Sequence, residues 1–222
     1  MNGFAMRPLI LASNSPRRIE LLGLLDLNFS VNPAVIDERQ KPGESPRDYV
    51  HRLACCKAQS IAAEQTDLVI GADTIVVDGN VLLGKPAHPG NAREMLQQLR
   101  GREHQVLTGI AIVDSRSGRA HAVVCDTTVF MREYTDAEID VYVASGDPLD
   151  KAGAYGIQNN NFHPVARLAG CYASVMGLPL CHLAVGLCDF GLDVRDGLPE
   201  RCQASLNYTC PIYPQILGGI YR

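Results

Sequence analysis

Residues 67–83, DLVIGADTIVVDGNVLL, contain two apolar runs on either side of a turn signal. The turn is Asp78-Gly79-Asn80, and the flanking segments IVV and VLL consist of β-branched and aliphatic residues. This combination predicts an antiparallel hairpin. Helical patterns precede and follow it in the chain, so the hairpin indicates a sheet with mixed strand directions.

The same stretch comes close to a phosphate-binding P-loop. Gly79, Gly84 and Lys85 satisfy G-x-x-x-x-G-K, but Pro86 stands where the motif needs Ser or Thr. A P-loop requires free backbone N–H groups, a hydroxyl that binds Mg²⁺ and a helix directly afterwards. Pro86 removes both the hydroxyl and an N–H, and the next helical pattern starts only at about residue 90. We therefore favour the hairpin over a P-loop NTPase.

The hairpin also predicts that an acid and a base meet. Asp73 and Lys85 are equally distant from Gly79 in sequence, so the two strands bring them close together at the open end, within about a residue of register. A surface ion pair is the simpler alternative explanation for this pair.

The remaining patterns alternate between strands and helices. RPLILA predicts a buried strand leading into a helix that starts at Ser15-Pro16. Ser45 with Asp48, and Thr135 with Glu138, have capping-box spacing. The sequence also predicts a helix from Ser45 to about Gln65 and further helices over 90–99 and about 180–187. The segments HQVLTGIAIVD and RAHAVVCDTTVFMR predict a long hairpin. This order predicts an α/β (mixed α+β) fold with a mixed sheet and a cleft.

The chain divides into a main domain and a tail. We predict a domain over residues 1–188 and a C-terminal extension over 189–222 that packs on it. The extension is rich in turn residues and lacks a clear helical period.

Composition excludes several classes of partner. The net charge of −4 provides no basic field for nucleic acid, so any phosphate recognition is local. No apolar stretch approaches the eighteen or so residues of a membrane span, and we expect a cytoplasmic protein with no membrane partner. The eight cysteines form no C-x-x-C pair and the histidines lack metal-ligand spacing, which argues against zinc.

Three basic residues lie in positions that call for an anion or an acid. Arg17 and Arg18 fall in the first turn of a predicted helix, where positive charge opposes the helix dipole and backbone N–H groups favour an anion. Solvated arginines are an equally simple alternative. Lys57 falls on the apolar stripe of its helix with Leu53 and Ile61, so its charge needs an acid, an anion or an escape to solvent.

The segment DPLDKAGAYGIQ, residues 147–158, resembles a ligand-binding loop in composition. Its glycines allow a close approach of backbone to ligand, and the terminal Gln158 has an amide that can read the edge of a base. Asp150 and Lys151 add charge to the same loop. Taken alone, the segment is also compatible with a structured loop without a ligand.

Six motifs in one order resemble the Maf proteins, over residues 7–187: LILASNSPRRIELL, VIGADTIVV, GKP, REHQVLTGIAI, PLDKAGAYGIQ and YASVMGLPL. The resemblance implies a fold related to the inosine triphosphate pyrophosphatases, with an elongated mixed sheet flanked by helices and two lobes around a central cleft. It also implies hydrolysis of a nucleoside triphosphate between the α and β phosphates. DKAGAYGIQ is similar to the branch acting on dTTP and UTP. NNNFHP after Gln158 and the residues beyond Cys188 depart from the usual pattern.

The resemblance also implies roles for individual residues. Asp73 matches the family's proton acceptor, and Arg17, Thr74 and Gln158 match positions associated with base choice. The other polar positions of the family's site correspond to Ser13, Arg18, Glu38, Lys57 and Lys85, to which the loop residues Asp150 and Lys151 are added as substrate ligands. A divalent cation, Mg²⁺ or Mn²⁺, is implied, with Glu38 and Asp73 as its carboxylate ligands. A nucleotide-binding regulator of cell division or septum formation is the alternative, and a homodimer is a further expectation.

Overall fold

The computed structural model describes residues 8–63 and 67–219. A seven-stranded mixed sheet forms the centre of the fold, in the order β2-β1-β3-β5-β6-β7, with the short β4 paired to β3. The strands are β1 (Leu9–Leu11), β2 (Phe29–Val31), β3 (Leu68–Asp78), β4 (Val81–Leu83), β5 (Glu103–Asp114), β6 (Ala120–Met131) and β7 (Val165–Ala169). β1 runs parallel to β2 and β3, and the other pairs are antiparallel. The predicted mixed α/β fold is confirmed.

Eight α-helices are described in these residues. They are α1 (Pro16–Gly23), α2 (Pro46–Ala62), α3 (Pro89–Leu99), α4 (Asp136–Ala144), α5 (Tyr172–Met176), α6 (Leu180–Cys188), α7 (Leu198–Leu206) and α8 (Tyr213–Leu217). The Ser45 side chain accepts a hydrogen bond from the N–H of Asp48 at the start of α2, and Thr135 and Glu138 form a full capping box on α4. The predicted end of α2 at about Gln65 falls outside the described residues.

The turn at Gly79-Asn80 is a hairpin, as predicted. Val76 pairs with Leu83 and Asp78 with Val81, and Gly79 has a φ of 61° that suits glycine. The P-loop alternative is wrong, because strand β4 occupies the place of the phosphate cradle and α3 begins only at Pro89. The run from Leu68 to Asp78 is one continuous strand.

The edge of β3 that faces away from β5 is only partly covered. β1 pairs with Leu68–Ile70 and β4 pairs with Val76–Asp78 on this edge. Within the described part of the chain, residues 71–75 therefore face a gap between β1 and β4. Successive residues of a strand point to opposite faces of the sheet. At a gap in the strand pairing, side chains on both faces can be reached from the same opening.

The helices on one side of the sheet form two cores around this gap. One core joins β1, the first half of β3, α1 and α6 through Leu11, Ile70 and Leu183. The other joins the second half of β3 to α3 and α4 through Val76 and Leu96. These are the two predicted lobes, and the cleft lies between them.

Helix α2 covers the opposite side of the sheet and approaches it closely. A Cβ at Gly71 would lie 2.2 Å from the carbonyl oxygen of Ala54, and one at Gly109 would lie 2.6 Å from that of Val50. Side chains at these two positions would push α2 away from β3 and β5. The two glycines therefore set the height of Lys57 above the sheet.

The C-terminal extension contains two helices, α7 and α8, where no helical period was expected. Leu198 is fully buried and joins the core formed with α6. The short α8 buries Ile216. Helices this short derive their stability from packing and have little intrinsic stability, which is why the sequence pattern is weak.

Two further findings concern the whole described chain. None of the helices in residues 8–63 and 67–219 has the length and apolar character that crossing a membrane requires. The eight cysteines are free thiols.

Candidate active site

A cleft of about 600 Å³ opens at the gap between β1 and β4. The sequence predicted eleven site residues on six separate segments, and all eleven line this cleft. They are Ser13, Arg17, Arg18, Glu38, Lys57, Asp73, Thr74, Lys85, Asp150, Lys151 and Gln158. Their common location is thus established, while their individual roles stay predictions.

Lys57 and Asp73 form an ion pair at the floor of the cleft. The Nζ atom of Lys57 lies 2.7 Å from Oδ1 of Asp73, and both side chains are about nine-tenths buried. A second carboxylate, that of the exposed Glu38, lies 2.7 Å from the same Nζ atom. The charge of Lys57, which lies on the apolar stripe of α2, is therefore balanced by two acids. Its side chain does not extend into solvent.

Burial shifts the ionisation equilibrium of Asp73. It raises the pKa of this carboxyl group, because a charge is poorly solvated at that depth. The charge and hydrogen bond of Lys57, and the charge of Arg18, act in the opposite direction without cancelling the effect of burial. A carboxylate with a raised pKa is a stronger base than an exposed one.

Arg18 is held in place by neutral groups. It donates hydrogen bonds to the carbonyl oxygen of Gly177 at 2.9 Å and to the hydroxyls of Ser13 and Thr74 at 3.3 Å each. Burial lowers its pKa, although Asp73 acts to raise it. Its guanidinium group thus lies at the cleft with no carboxylate in direct contact among the described residues, so its charge is open to an anion.

Arg17 reaches across the mouth of the cleft. Its Nη1 atom lies 3.3 Å from Oδ2 of Asp150, which belongs to the opposite lobe. The acid that the sequence required near the first turn of α1 is therefore Asp150.

Lys85 is the least constrained cation of the cleft. It is exposed and makes no hydrogen bond or ion pair with residues 8–63 or 67–219. β4 ends at Leu83, which pairs with Val76. Lys85 and Asp73 thus do not pair directly as neighbours in the sheet, but they line the same cleft, as the hairpin predicted.

The loop of residues 147–158 folds into two short 3₁₀ turns, Asp147–Asp150 and Ala152–Ala154. Lys151 is buried, and its Nζ atom donates to the backbone and side chain of Asp147 and to Asp150. All three N–H bonds of this ammonium are therefore in use. Gln158, by contrast, has no hydrogen-bond partner for its amide group among the residues described.

Several groups at the site were missed by sequence reasoning. Tyr49 donates from its hydroxyl to the carbonyl oxygen of Glu38 at 2.8 Å and lines the cleft beside it. Gly177, with a φ of 115°, presents its carbonyl to Arg18. Tyr49 had no signal apart from its place on the same helix as Lys57. Gly177 had a weak one, since a glycine directly after a short helix marks a C-cap.

Two carboxylates are available for a cation. No group of three or more His, Cys, Asp or Glu side chains within the described segments is arranged to hold a metal ion. Glu38 and Asp73, however, already share one ammonium, so both can reach a single positive centre. Mg²⁺ is commonly held by one or two carboxylates together with substrate phosphates. The donor set therefore fits a cation bound together with a phosphate compound.

Comparison with known proteins identifies relatives of this chain. The family model described as Maf-like protein matches residues 8–190. A dTTP/UTP pyrophosphatase of Syntrophus aciditrophicus (strain SB) is 46% identical over 184 residues, which cover 82% of this chain and 90% of that protein. A dTTP/UTP pyrophosphatase of Moorella thermoacetica is 47% identical over 190 residues, covering 85% and 98%. A third, from Anaeromyxobacter dehalogenans, is 49% identical over 179 residues, covering 79% and 90%. This chain belongs to the Maf family.

Proposed function

We propose that this protein is a nucleoside triphosphate pyrophosphatase that hydrolyses dTTP and UTP to the monophosphate and pyrophosphate. The observation that carries the proposal is the cleft, in which the buried carboxylate of Asp73 lies among the cationic residues Arg17, Arg18, Lys57 and Lys85. The relatives in three bacteria that bear the name dTTP/UTP pyrophosphatase support the choice of substrate.

Asp73 is the general base in this proposal. A water molecule attacks the α-phosphorus, the bond from that phosphorus to the bridging oxygen breaks, and pyrophosphate leaves with the bonding electrons. The attacking water gives a proton to the carboxylate of Asp73. The raised pKa of Asp73 suits this task, because a base works best when its pKa lies near the operating pH.

The basic side chains stabilise the charge that moves toward the leaving pyrophosphate. Lys85 and Arg18 have charges that no carboxylate contacts directly in the described chain, so they meet phosphate oxygens without first breaking an ion pair. Lys57 holds Asp73 and lies beside the reacting centre. Positive side chains already placed around the developing charge stabilise it more than reorienting water does.

A divalent cation completes the proposed site. Glu38 and Asp73 would hold Mg²⁺ or Mn²⁺ together with phosphate oxygens, and the bound ion would supply neutralisation of phosphate charge and polarisation of the phosphoryl group. A cation held there would compete with the ammonium of Lys57 for these two carboxylates. No observation in the described chain favours the regulator of cell division.

The test is a panel of canonical and modified nucleoside triphosphates with Mg²⁺ or Mn²⁺, in which pyrophosphate and orthophosphate are assayed separately. We expect pyrophosphate and monophosphate in equal amounts, fastest from dTTP and UTP. Release of orthophosphate would place the cleavage at another bond. Tight binding without any product would support the regulator and contradict the proposed enzyme.

A further inference from the structure

Three side chains donate hydrogen bonds to the carboxylate of Asp147, a residue to which the sequence assigned no role. The hydroxyl of Tyr142 on α4 donates to Oδ2 of Asp147 at 2.6 Å, and the amide of Asn159 donates to the same oxygen at 3.2 Å. Nζ of Lys151 donates to Oδ1 at 2.9 Å. One carboxylate therefore ties helix α4 to both ends of the loop that contains Gln158.

Lys151 extends this network toward the opposite lobe. Its Nζ atom also donates to Oδ1 of Asp150 at 2.7 Å, and Oδ2 of Asp150 accepts from Arg17 at 3.3 Å. A continuous chain of charged contacts thus runs from Asp147 through Lys151 and Asp150 to Arg17. With all its N–H bonds in use, Lys151 fits a role in holding other residues better than direct contact with a substrate.

Tyr142 also holds the backbone next to Gln158. Its hydroxyl accepts a hydrogen bond from the N–H of Gly156 at 3.0 Å. A Cβ at Gly156 would lie 2.9 Å from Cε of Lys151 and 3.4 Å from Nε2 of Gln158, so both side chains lie directly against this glycine. The amide of Gln158 itself is left without a partner in the described chain. The backbone segment that carries the unpaired amide of Gln158 is therefore fixed by its contacts with Tyr142, Asp147 and Lys151.

We propose that Asp147 and Tyr142 are positioning residues for base recognition, which hold the Gln158 amide and, through Lys151 and Asp150, the Arg17 guanidinium at the base of a pyrimidine nucleotide. The proposal rests on the proposed function of the cleft and deepens it. Neither residue lines the cleft, so both act through the residues they hold.

The ionisation of the network agrees with this role. Burial raises the pKa of Asp147, but hydrogen bonds from Tyr142 and Lys151 outweigh it, and the pKa ends below its ordinary value. Burial, followed by the contact with Asp147, raises the pKa of Tyr142 above its usual range. Asp147 is therefore a carboxylate and Tyr142 a neutral donor at neutral pH.

The experiment compares Tyr142→Phe with Tyr134→Phe. Both tyrosines are buried in the same core and contact the ring of Phe162, and each donates one hydrogen bond from its hydroxyl. The hydroxyl of Tyr134 donates to the carbonyl oxygen of Leu96, and Tyr134 does not line the cleft. The two variants thus remove the same group from the same core, with and without the connection to the loop.

We expect Tyr142→Phe to lower kcat/KM for UTP on the order of 10- to 100-fold, since misplacement of a recognition group by about 1 Å has effects of that size. The preference for UTP over CTP falls with it, and UMP inhibits more weakly. Inhibition by pyrophosphate, which has no base, stays unchanged. The N–H of Gly156 exchanges with deuterium faster. Tyr134→Phe keeps the wild-type preference and the wild-type exchange at Gly156.

An unchanged preference in Tyr142→Phe overturns the inference, and so does an equal loss in both variants, which would indicate general destabilisation. Failure of the proposed function is seen separately, as wild-type protein that releases no pyrophosphate from UTP or dTTP. In that case calorimetric binding of UMP and CMP to the same variants tests the positioning role, and equal affinity ratios in both variants overturn it.

Discussion

Lys57 and Asp73 form a buried ion pair on which the proposed chemistry of the cleft depends. Neither charge is well solvated, so removing one partner leaves the other uncompensated. Glu38 lies on the same ammonium and is exposed, and it can take over part of this compensation. Substitutions at Asp73 therefore report on catalysis, because the ammonium of Lys57 still has the carboxylate of Glu38 as a partner.

Asp73→Asn is expected to abolish pyrophosphate release while the protein stays folded. The loss of a general base costs about 10²- to 10⁴-fold in rate. Turnover of UTP and the circular dichroism spectrum are the measurements. Asp37→Asn is the control, since Asp37 is exposed and pairs with Arg39. Turnover at the wild-type rate in Asp73→Asn would remove Asp73 from the mechanism.

The pH dependence of the reaction should report on the same pair. A base must be unprotonated, so activity is lost as the pH falls through the pKa of Asp73, which burial raises and Lys57 lowers. Lys57→Gln removes the lowering contribution, and the acid limb of kcat/KM moves to higher pH than in the wild type. Lys57→Arg retains the charge and should shift the limb less. The phosphates of the substrate titrate identically in all three proteins, so a limb that stays in place, or moves to lower pH, contradicts the assignment.

Helix α2 and strand β3 form the element pair that presents this chemistry. α2 contributes Lys57 and β3 contributes Asp73, and their contact depends on glycines where the helix crosses the sheet. The caps at Ser45 and Thr135 were readable from sequence because capping is local. The crossing of α2 over Gly71 was not, since it joins residues on separate elements.

Gly71→Ala is expected to destabilise the protein by about 1–3 kcal/mol or more, the usual cost of an overpacked core. The added Cβ would meet the backbone of Ala54 and Ala58, which a side-chain rotation cannot relieve. Gly23→Ala at the end of α1 is the control, because a Cβ there meets nothing within 4 Å. Urea denaturation measures both. Equal stability of the two variants would show that α2 does not rest on Gly71.

Over the molecule as a whole, the cleft depends on two lobes that share one sheet. The lobe built on β1 supplies Ser13, Arg17 and Arg18, and the lobe beyond β4 supplies Lys85 and the loop with Gln158. The C-terminal extension adds Leu198 to the first lobe, and its described residues, 189–219, line none of the cleft. Its contribution should therefore appear in stability and not in base preference.

Leu198→Ala is expected to lower the free energy of unfolding by about 2–5 kcal/mol, as for other leucines removed from a core. Kinetic preference among dTTP, UTP and CTP should stay unchanged. Gln215→Ala, on the exposed side of α8, is the matched control in the extension and should affect neither property. A change of base preference in Leu198→Ala would mean that the extension reaches the cleft indirectly.

The amino-acid sequence by itself determined the local parts of this protein. Periodicity and caps located most of the strands and helices of residues 8–188, although not β7 or α5. The Asp-Gly-Asn turn specified the hairpin, and the apolar setting of Lys57 required a partner for its charge. Each of these depends on interactions between residues a few positions apart, which a pattern in the chain records directly.

Only the tertiary structure decided which groups meet. The packing of whole elements leaves a gap between β1 and β4 and brings both Asp73 and Glu38 to the ammonium of Lys57. It also pairs the ammonium of Lys151 with Asp147 and Asp150 and stabilises the helices of the extension. The physical reason is that long-range contacts depend on how whole elements pack. Packing energy is summed over many side chains, so no single stretch of sequence contains it.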